Sequence, residues 1–241
     1  MKSEITFFKK NEMYENFFKA VELGNVSLVK ELLPKIPNIN RYKQTGTLLY
    51  TALYTAVKKR DLDMVRLLLE NNANPNARSL EGMFVMTTGR PVIYSDEELE
   101  SADIERKNPA CDTPLIRAAL NEHYEIFDLL ITHGANPNLG AHSYGPIHSA
   151  VLADSLEAIM LLLDAGADIN SVEGYGQITP LHRAVQFSKF NIVKLLLEKG
   201  ANDKLLDGHG KLPLDYAEEN DIKNLFLIGP QYDKSPLCNI L

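Results

Sequence analysis

Short apolar runs come in pairs along this chain, and a polar turn closes each pair. The second run is the clearer one: Leu67-Leu68-Leu69, Leu129-Leu130-Ile131, Leu161-Leu162-Leu163 and Leu195-Leu196-Leu197. Two residues later comes a fixed phrase: Asn72-Ala73-Asn74-Pro75-Asn76, Gly134-Ala135-Asn136-Pro137-Asn138, Gly166-Ala167-Asp168-Ile169-Asn170 and a shortened Gly200-Ala201-Asn202. The first run of each pair has its own wording, fullest in Thr179-Pro180-Leu181-His182-Arg183-Ala184. Weaker copies are Thr51-Ala52-Leu53-Tyr54-Thr55-Ala56, Thr113-Pro114-Leu115-Ile116-Arg117-Ala118, Gly145-Pro146-Ile147-His148-Ser149-Ala150 and Leu212-Pro213-Leu214-Asp215-Tyr216-Ala217. Leu115, Ile147, Leu181 and Leu214 are 32, 34 and 33 residues apart. Two phrases in fixed order at that period predict stacked helix pairs.

Each residue type in the phrases has a physical task. Thr113 and Thr179 suit a helix N-cap, where the hydroxyl accepts from an unpaired backbone N–H. Pro114, Pro146, Pro180 and Pro213 then fall at the first helical position, where no N–H is missed. Ala118, Ala150 and Ala184 are small enough to let the first helix approach its neighbours, and the leucine runs supply the buried stripe of the second. Gly134, Gly166 and Gly200 fit a left-handed residue just past that helix, and Asn72 tolerates the same conformation. The ends are atypical, as the last units of a stack must be. Phe17–Val21 and Val29–Leu33 read as a capping helix pair, with Ile36 between Pro34 and Pro37 in the place of glycine, so that turn must close differently. Asp221–Leu227 reads as a short final helix stopped by Gly229-Pro230.

These phrases resemble the ankyrin repeat family over roughly residues 14–228. The resemblance implies an all-α ankyrin-repeat solenoid of stacked helix pairs with hairpin fingers, here with one long finger insertion. The expected organisation is a repeat domain over 1–228, of about six units including end caps, and a flexible tail over 229–241. It also implies a non-enzymatic module that binds a partner protein on the concave face made by first helices and fingers, with no cofactor. Matched in register, the variable helix positions are Lys58, Lys59, Leu120, Asn121, Leu152, Ala153, Gln186 and Phe187; the finger-tip candidates are Tyr42, Lys43, Tyr144, Tyr175 and Gln177. His148 and His182 occupy the family's structural position, where an imidazole bonds backbone groups of adjacent turns. Leu162, Asp168 and Ile169 stand before Asn170 as an asparaginyl hydroxylase of such repeats prefers, so Asn170 is either a hydroxylation site or simply a hairpin residue.

Composition narrows the function classes. A net charge of −7 argues against tracking a nucleic-acid backbone, which needs a basic stripe. Two cysteines, Cys111 and Cys238, are too few for a disulfide framework and fit a reducing compartment. No stretch approaches a membrane span of about 18 apolar residues, and Met1–Tyr14 lacks the apolar core of a signal peptide. A cytoplasmic monomer is the expectation. The six histidines show no ligand spacing, and no Cys-x-x-Cys, His-Glu-x-x-His or P-loop pattern occurs. No catalytic or metal residue is assigned.

Two departures from the repeat carry alternatives. Leu53 and Leu115 are 62 residues apart, 29 beyond one period of 33, which places an insertion at about 79–110 in a finger. Met83–Met86 and Pro91–Tyr94 flank Thr87-Thr88-Gly89-Arg90 as a hairpin would, and Ser95-Asp96-Glu97-Glu98 has capping-box form before a short acidic helix. The insertion is either a tolerated surface loop or a partner-binding arm, with Phe84, Arg90, Ile93 and Tyr94 as contacts; an inhibitor or enzyme acting through this arm is a third reading. The ending Cys238-Asn239-Ile240-Leu241 has the C-a-a-X form of a geranylgeranylation signal, without a polybasic stretch or a second cysteine beside it. A lone prenyl group on Cys238 would give partial, reversible membrane attachment. A solitary repeat domain with such an ending is similar to effectors that intracellular bacteria deliver into the host cytoplasm, and equally to a eukaryotic lipid-anchored adaptor.

Overall fold

The computed structural model describes the backbone of residues 2–9 and 228 and all atoms of residues 10–45, 48–79, 95, 99, 112–140, 145–174 and 176–227. It forms two compact units, Met1–Ala141 and His142–Leu241. The expected helix pairs are present in both.

In the first unit, α1 (Lys2–Glu22), α3 (Ala52–Lys58) and α5 (Pro114–Leu120) form an inner layer. An outer layer is formed by α2 (Val26–Leu32), α4 (Leu62–Glu70) and α6 (Tyr124–Thr132). Phe17, Leu53, Tyr54, Met64, Leu68, Leu115, Ile116 and Leu130 fill the space between the layers. In the second unit, α7 (Pro146–Leu152) packs on α9 (Pro180–Gln186), and α8 (Leu156–Asp164) packs on α10 (Phe190–Glu198). Ile147, Ile159, Leu162 and Leu181 make that core, and α11 (Asn220–Ile228) covers α10.

The caps expected of Thr113 and Thr179 are present, and Thr51, Asp61 and Ser155 supply further ones. Thr51, Thr113 and Thr179 each accept from the backbone N–H three residues on, at 3.2, 3.2 and 3.3 Å. Asp61 and Ser155 do the same for α4 and α8. Gly134, Gly166 and Gly200 have φ of +86°, +89° and +87°, and Asn72 substitutes at +65°. The turn at Ile36 does close differently: Leu33–Lys35 form a 3-10 turn and Ile36 is extended at φ −83°. Pro213–Tyr216 likewise makes only a 3-10 turn, because Asp215 bonds the N–H of Leu212 and Ala217 is already extended.

Three fingers are described. The first is an antiparallel hairpin of β1 (Lys43–Thr45) and β2 (Leu48–Tyr50), with Lys43 opposite Tyr50. The second is pinned at its base by paired hydrogen bonds between Ser79 and Asp112, of 2.8 and 3.1 Å. These two residues flank positions 80–111, where the sequence places the insertion. The third, in the second unit, closes through Glu173 and Ile178, with Gly174 and Gln177 at positive φ at its tip.

Candidate functional site

Asparagines tie neighbouring fingers together. The Asn40 amide oxygen accepts from the N–H of Asn74 at 2.6 Å, Asn76 from Asn136 at 2.7 Å, and Asn170 from Asn202 at 2.8 Å. Asn170, the hydroxylation candidate, is therefore engaged between two repeats, half-buried, with its side chain along the finger row.

Beneath the fingers a second tether recurs. His148 donates from Nε2 to the carbonyl of Ile178 at 2.8 Å, and His182 to that of Lys211 at 3.0 Å, as the structural role of these histidines requires. Both rings are fully buried. Their other nitrogens differ. Nδ1 of His182 accepts from the Thr179 hydroxyl at 2.8 Å, whereas Gly145 stands in the place of that threonine and Nδ1 of His148 has no partner among the described residues. Burial, set against the Ile178 bond and joined by the nearby Arg183 cation, lowers the His148 pKa to about 4. The ring is neutral at physiological pH.

Next to His148 lies a buried ion pair that the sequence motifs did not reveal. Glu173, at the base of the finger, bonds the guanidinium of Arg183 on α9, and its second oxygen lies 3.9 Å from His148 Nε2. One repeat later the same positions hold Asp207 and Tyr216, whose phenol donates to the carboxylate at 2.6 Å. Burial alone would raise the Asp207 pKa. The bonds from Tyr216 and from the N–H groups of Lys211 and His209 outweigh it and hold it at about 2. The signal was an acid at a 34-residue spacing, Glu173 and Asp207, facing polar residues 10 and 9 positions on.

The predicted contact residues divide by unit. In the first, exposed Lys58 and Lys59 line a groove of about 370 Å³ together with Glu22, Leu48, Tyr50, Tyr54 and Thr55. Leu120 and Asn121, on α5, are half-buried. Lys43 also lies beside this groove, but paired with Glu22 at 3.1 Å and Glu15 at 3.5 Å. Burial opposes its charge, yet the Glu22 bond and both carboxylates prevail and raise its pKa.

Tyr42 requires a correction. It is 4% exposed and not a finger-tip contact, because its N–H donates to the carbonyl of Leu99, a residue of the insertion that is itself buried. Neighbouring Arg41 is buried too, stacked 4.3 Å over the Tyr14 ring. The base of the first finger thus packs inward.

In the second unit, Leu152 and Phe187 are exposed by 43% and 49% at the ends of α7 and α9, and Gln177 is exposed at its finger tip. Gln186 is half-buried and bonds Arg183, whose guanidinium lies 5.7 Å from the Phe187 ring. Phe190, 39% exposed, adjoins this patch in sequence, and Lys189 pairs with Asp154 at 2.9 Å. Tyr144, Tyr175, Phe84, Arg90, Ile93, Tyr94 and Cys238 lie outside the described residues, as does the hairpin expected in the insertion. Of the acidic helix expected after Ser95, only Ser95 and Leu99 are among the described residues, with the N–H of Leu99 donating to Ser95 O at 3.0 Å. Among the described residues no cluster of histidine, cysteine and carboxylates could hold a metal ion, and no helix is long and apolar enough to cross a membrane.

Comparison with known proteins agrees with this architecture. A family model described as ankyrin repeats in three copies matches residues 9–79 and 97–173, and one described as ankyrin repeats in many copies matches 162–217. The ankyrin repeat protein FPV034 of fowlpox virus is 26% identical over 168 residues, covering 66% of this chain and 38% of its own length. An ankyrin repeat protein of Rickettsia bellii is 28% identical over 127 residues, 51% of each chain. The human BCL-6 corepressor-like protein 1 is 40% identical over 78 residues, which are 32% of this chain and 4% of that protein. This chain thus spans about half or less of these relatives. The crystal structure of the ankyrin repeat protein EF0377 superimposes with a TM-score of 0.64 at 21% identity, over 89% of this chain and 97% of its own, a likeness of fold. The chain belongs to the ankyrin-repeat family.

Proposed function

We propose that this chain binds a partner protein through the inner-helix ends and fingers of each unit, without catalysis. Ankyrin repeats are protein–protein interaction modules, typically non-enzymatic, and that general role applies here. The observation that supports this particular surface is the exposure of Leu152 and Phe187 at adjacent repeat positions. The core of the second unit is complete without them, and aromatic and aliphatic anchors ringed by polar groups are what binding hot spots are made of. Asp154, Arg183, Gln186 and Lys189 make that ring. The histidines His148 and His182 and the Glu173–Arg183 pair, by contrast, are committed to holding one repeat on the next, and among the described residues they form no nucleophile–base pair.

The test is the double variant Leu152→Ala with Phe187→Ala. A partner captured with the native chain should bind it at least ~10-fold more weakly, the loss of roughly 1.4 kcal/mol or more, with the thermal midpoint nearly unchanged. Equal affinity removes both residues from the surface.

A further inference from the structure

We propose that the groove between the end of α1, β2 and α3 receives an acidic–apolar peptide segment of the partner. An aromatic or branched aliphatic side chain would lie against Leu48, Tyr50 and Tyr54, with flanking carboxylates on Lys58 and Lys59. The proposal rests on the interaction-module reading and adds to it the chemistry of one ligand segment.

Three observations carry it. The first is size: about 370 Å³ lies within the roughly 300–1,000 Å³ of ligand pockets and is enough for one or two large side chains rather than a folded element.

The second is charge. The chain carries −7 overall, yet the exposed rim of this groove is the pair Lys58 and Lys59. Among its described lining residues the one acid, Glu22, is bonded to Lys43 at 3.1 Å and to the Tyr50 hydroxyl at 3.3 Å, which turns it away from Lys58 and Lys59 at the rim. The equivalent positions of α5, α7 and α9 hold Leu120-Asn121, Leu152-Ala153 and Gln186-Phe187, so a cationic rim distinguishes this groove from the rest of the row. A positive island on an acidic molecule selects and steers an acidic ligand.

The third is preorganisation. The Tyr50 wall is held by Thr45 at 3.1 Å across the hairpin and by an edge-on contact with Phe18. The Tyr54 hydroxyl is bonded by Arg117 Nε at 3.0 Å, and Arg117 is paired with Asp112 at 2.5 Å. Aromatic walls already fixed in place lose little entropy when a side chain docks against them.

The experiment selects random phage-displayed peptides on the full chain at low salt and measures the winners by fluorescence anisotropy. They are titrated against the native chain, Lys58→Glu with Lys59→Glu, Lys58→Gln with Lys59→Gln, and Leu152→Ala with Phe187→Ala. The expected winners place Asp or Glu beside Phe, Tyr, Leu or Ile. They should lose at least ~10-fold in affinity with the glutamate pair and less with the glutamine pair. They should weaken several-fold as salt rises from about 50 to about 300 mM, and be indifferent to the alanine pair. Winners without acidic residues, or winners that bind both lysine variants equally, overturn the groove assignment and leave the interaction module standing. If the native chain enriches no peptide, the groove assignment falls, and the module reading still stands or falls on the Leu152→Ala with Phe187→Ala test against a captured partner.

Discussion

The N–H of Tyr42 donates to the carbonyl of Leu99 at 2.9 Å, so Leu99, 57 residues on, lies against the base of the first finger. Leu99 is 8% exposed and Tyr42 4%, which makes Leu99 part of the core of its unit. Leu99→Ala should therefore cost about 2 kcal/mol, at the low end for a buried leucine. The urea midpoint reads that loss directly, and an unchanged midpoint would mean the contact is not made. Deleting residues 82–107 should destabilise the first unit by at least as much, since Tyr42 would lose Leu99 altogether.

Gly145 and Thr179 set up an internal comparison. Thr179 serves His182 both as helix cap and as a hydroxyl donor to Nδ1, and Gly145 offers His148 neither. A Cβ at Gly145 would come 3.1 Å from His148 Nδ1, close enough that the ring must give slightly. The sister repeat shows that a threonine and this histidine fit together. Gly145→Thr should raise stability by about 1 kcal/mol, the usual worth of a cap. A lower thermal midpoint would show that the ring cannot yield.

His148 also predicts a pH dependence, and its sign follows from the depressed value. The folded chain holds the ring neutral down to about pH 4, whereas the unfolded chain protonates it near 6.5. Below 6.5 the unfolded state binds more protons, so stability falls as pH drops from about 6.5 toward 4, by on the order of 3 kcal/mol in full. His148→Gln should flatten that slope in pH-resolved urea titrations. An equally steep slope in the variant would assign it to other groups. Asp207 adds a lower window: its stabilisation is complete above about pH 4 and disappears as pH falls toward 2.

Breaking the Glu173–Arg183 pair should be asymmetric. Arg183→Leu leaves a buried carboxylate uncompensated beside His148 and should cost about 3 kcal/mol or more. Glu173→Gln keeps an acceptor for Arg183, whose side chain is 18% exposed, and should cost less. Equal losses, measured by chemical denaturation, would contradict the account of a buried anion.

Much of the fold was legible because repetition multiplies weak signals. One Thr-Pro-Leu-His phrase caps one helix, but four in register also set the turns, as the three left-handed glycines and Asn72 show. Less visible were contacts that depend on which repeat meets which. Tyr42 looked like an exposed finger tip because nothing in its neighbourhood announces that Leu99, 57 residues on, will cover it. Glu173 carries no motif of its own, and only the stacking of repeats buries its carboxylate against Arg183. Left-handed turns at Arg60, Glu122, Asp154 and Ser188 went unmarked, since those residue types seldom adopt φ near +50° to +60°. The exposure of Lys58, Lys59, Leu152 and Phe187 was legible for the opposite reason: the repeat does not need them in its core.

Hydrogen exchange of the chain with and without its bound partner tests the central claim most directly. Binding through inner-helix ends and fingers predicts slowed exchange in 43–45, 48–50, 55–60, 117–122, 150–154 and 183–188, with the outer helices Leu62–Glu70, Leu156–Asp164 and Phe190–Glu198 unchanged. Protection confined to those outer helices would contradict it.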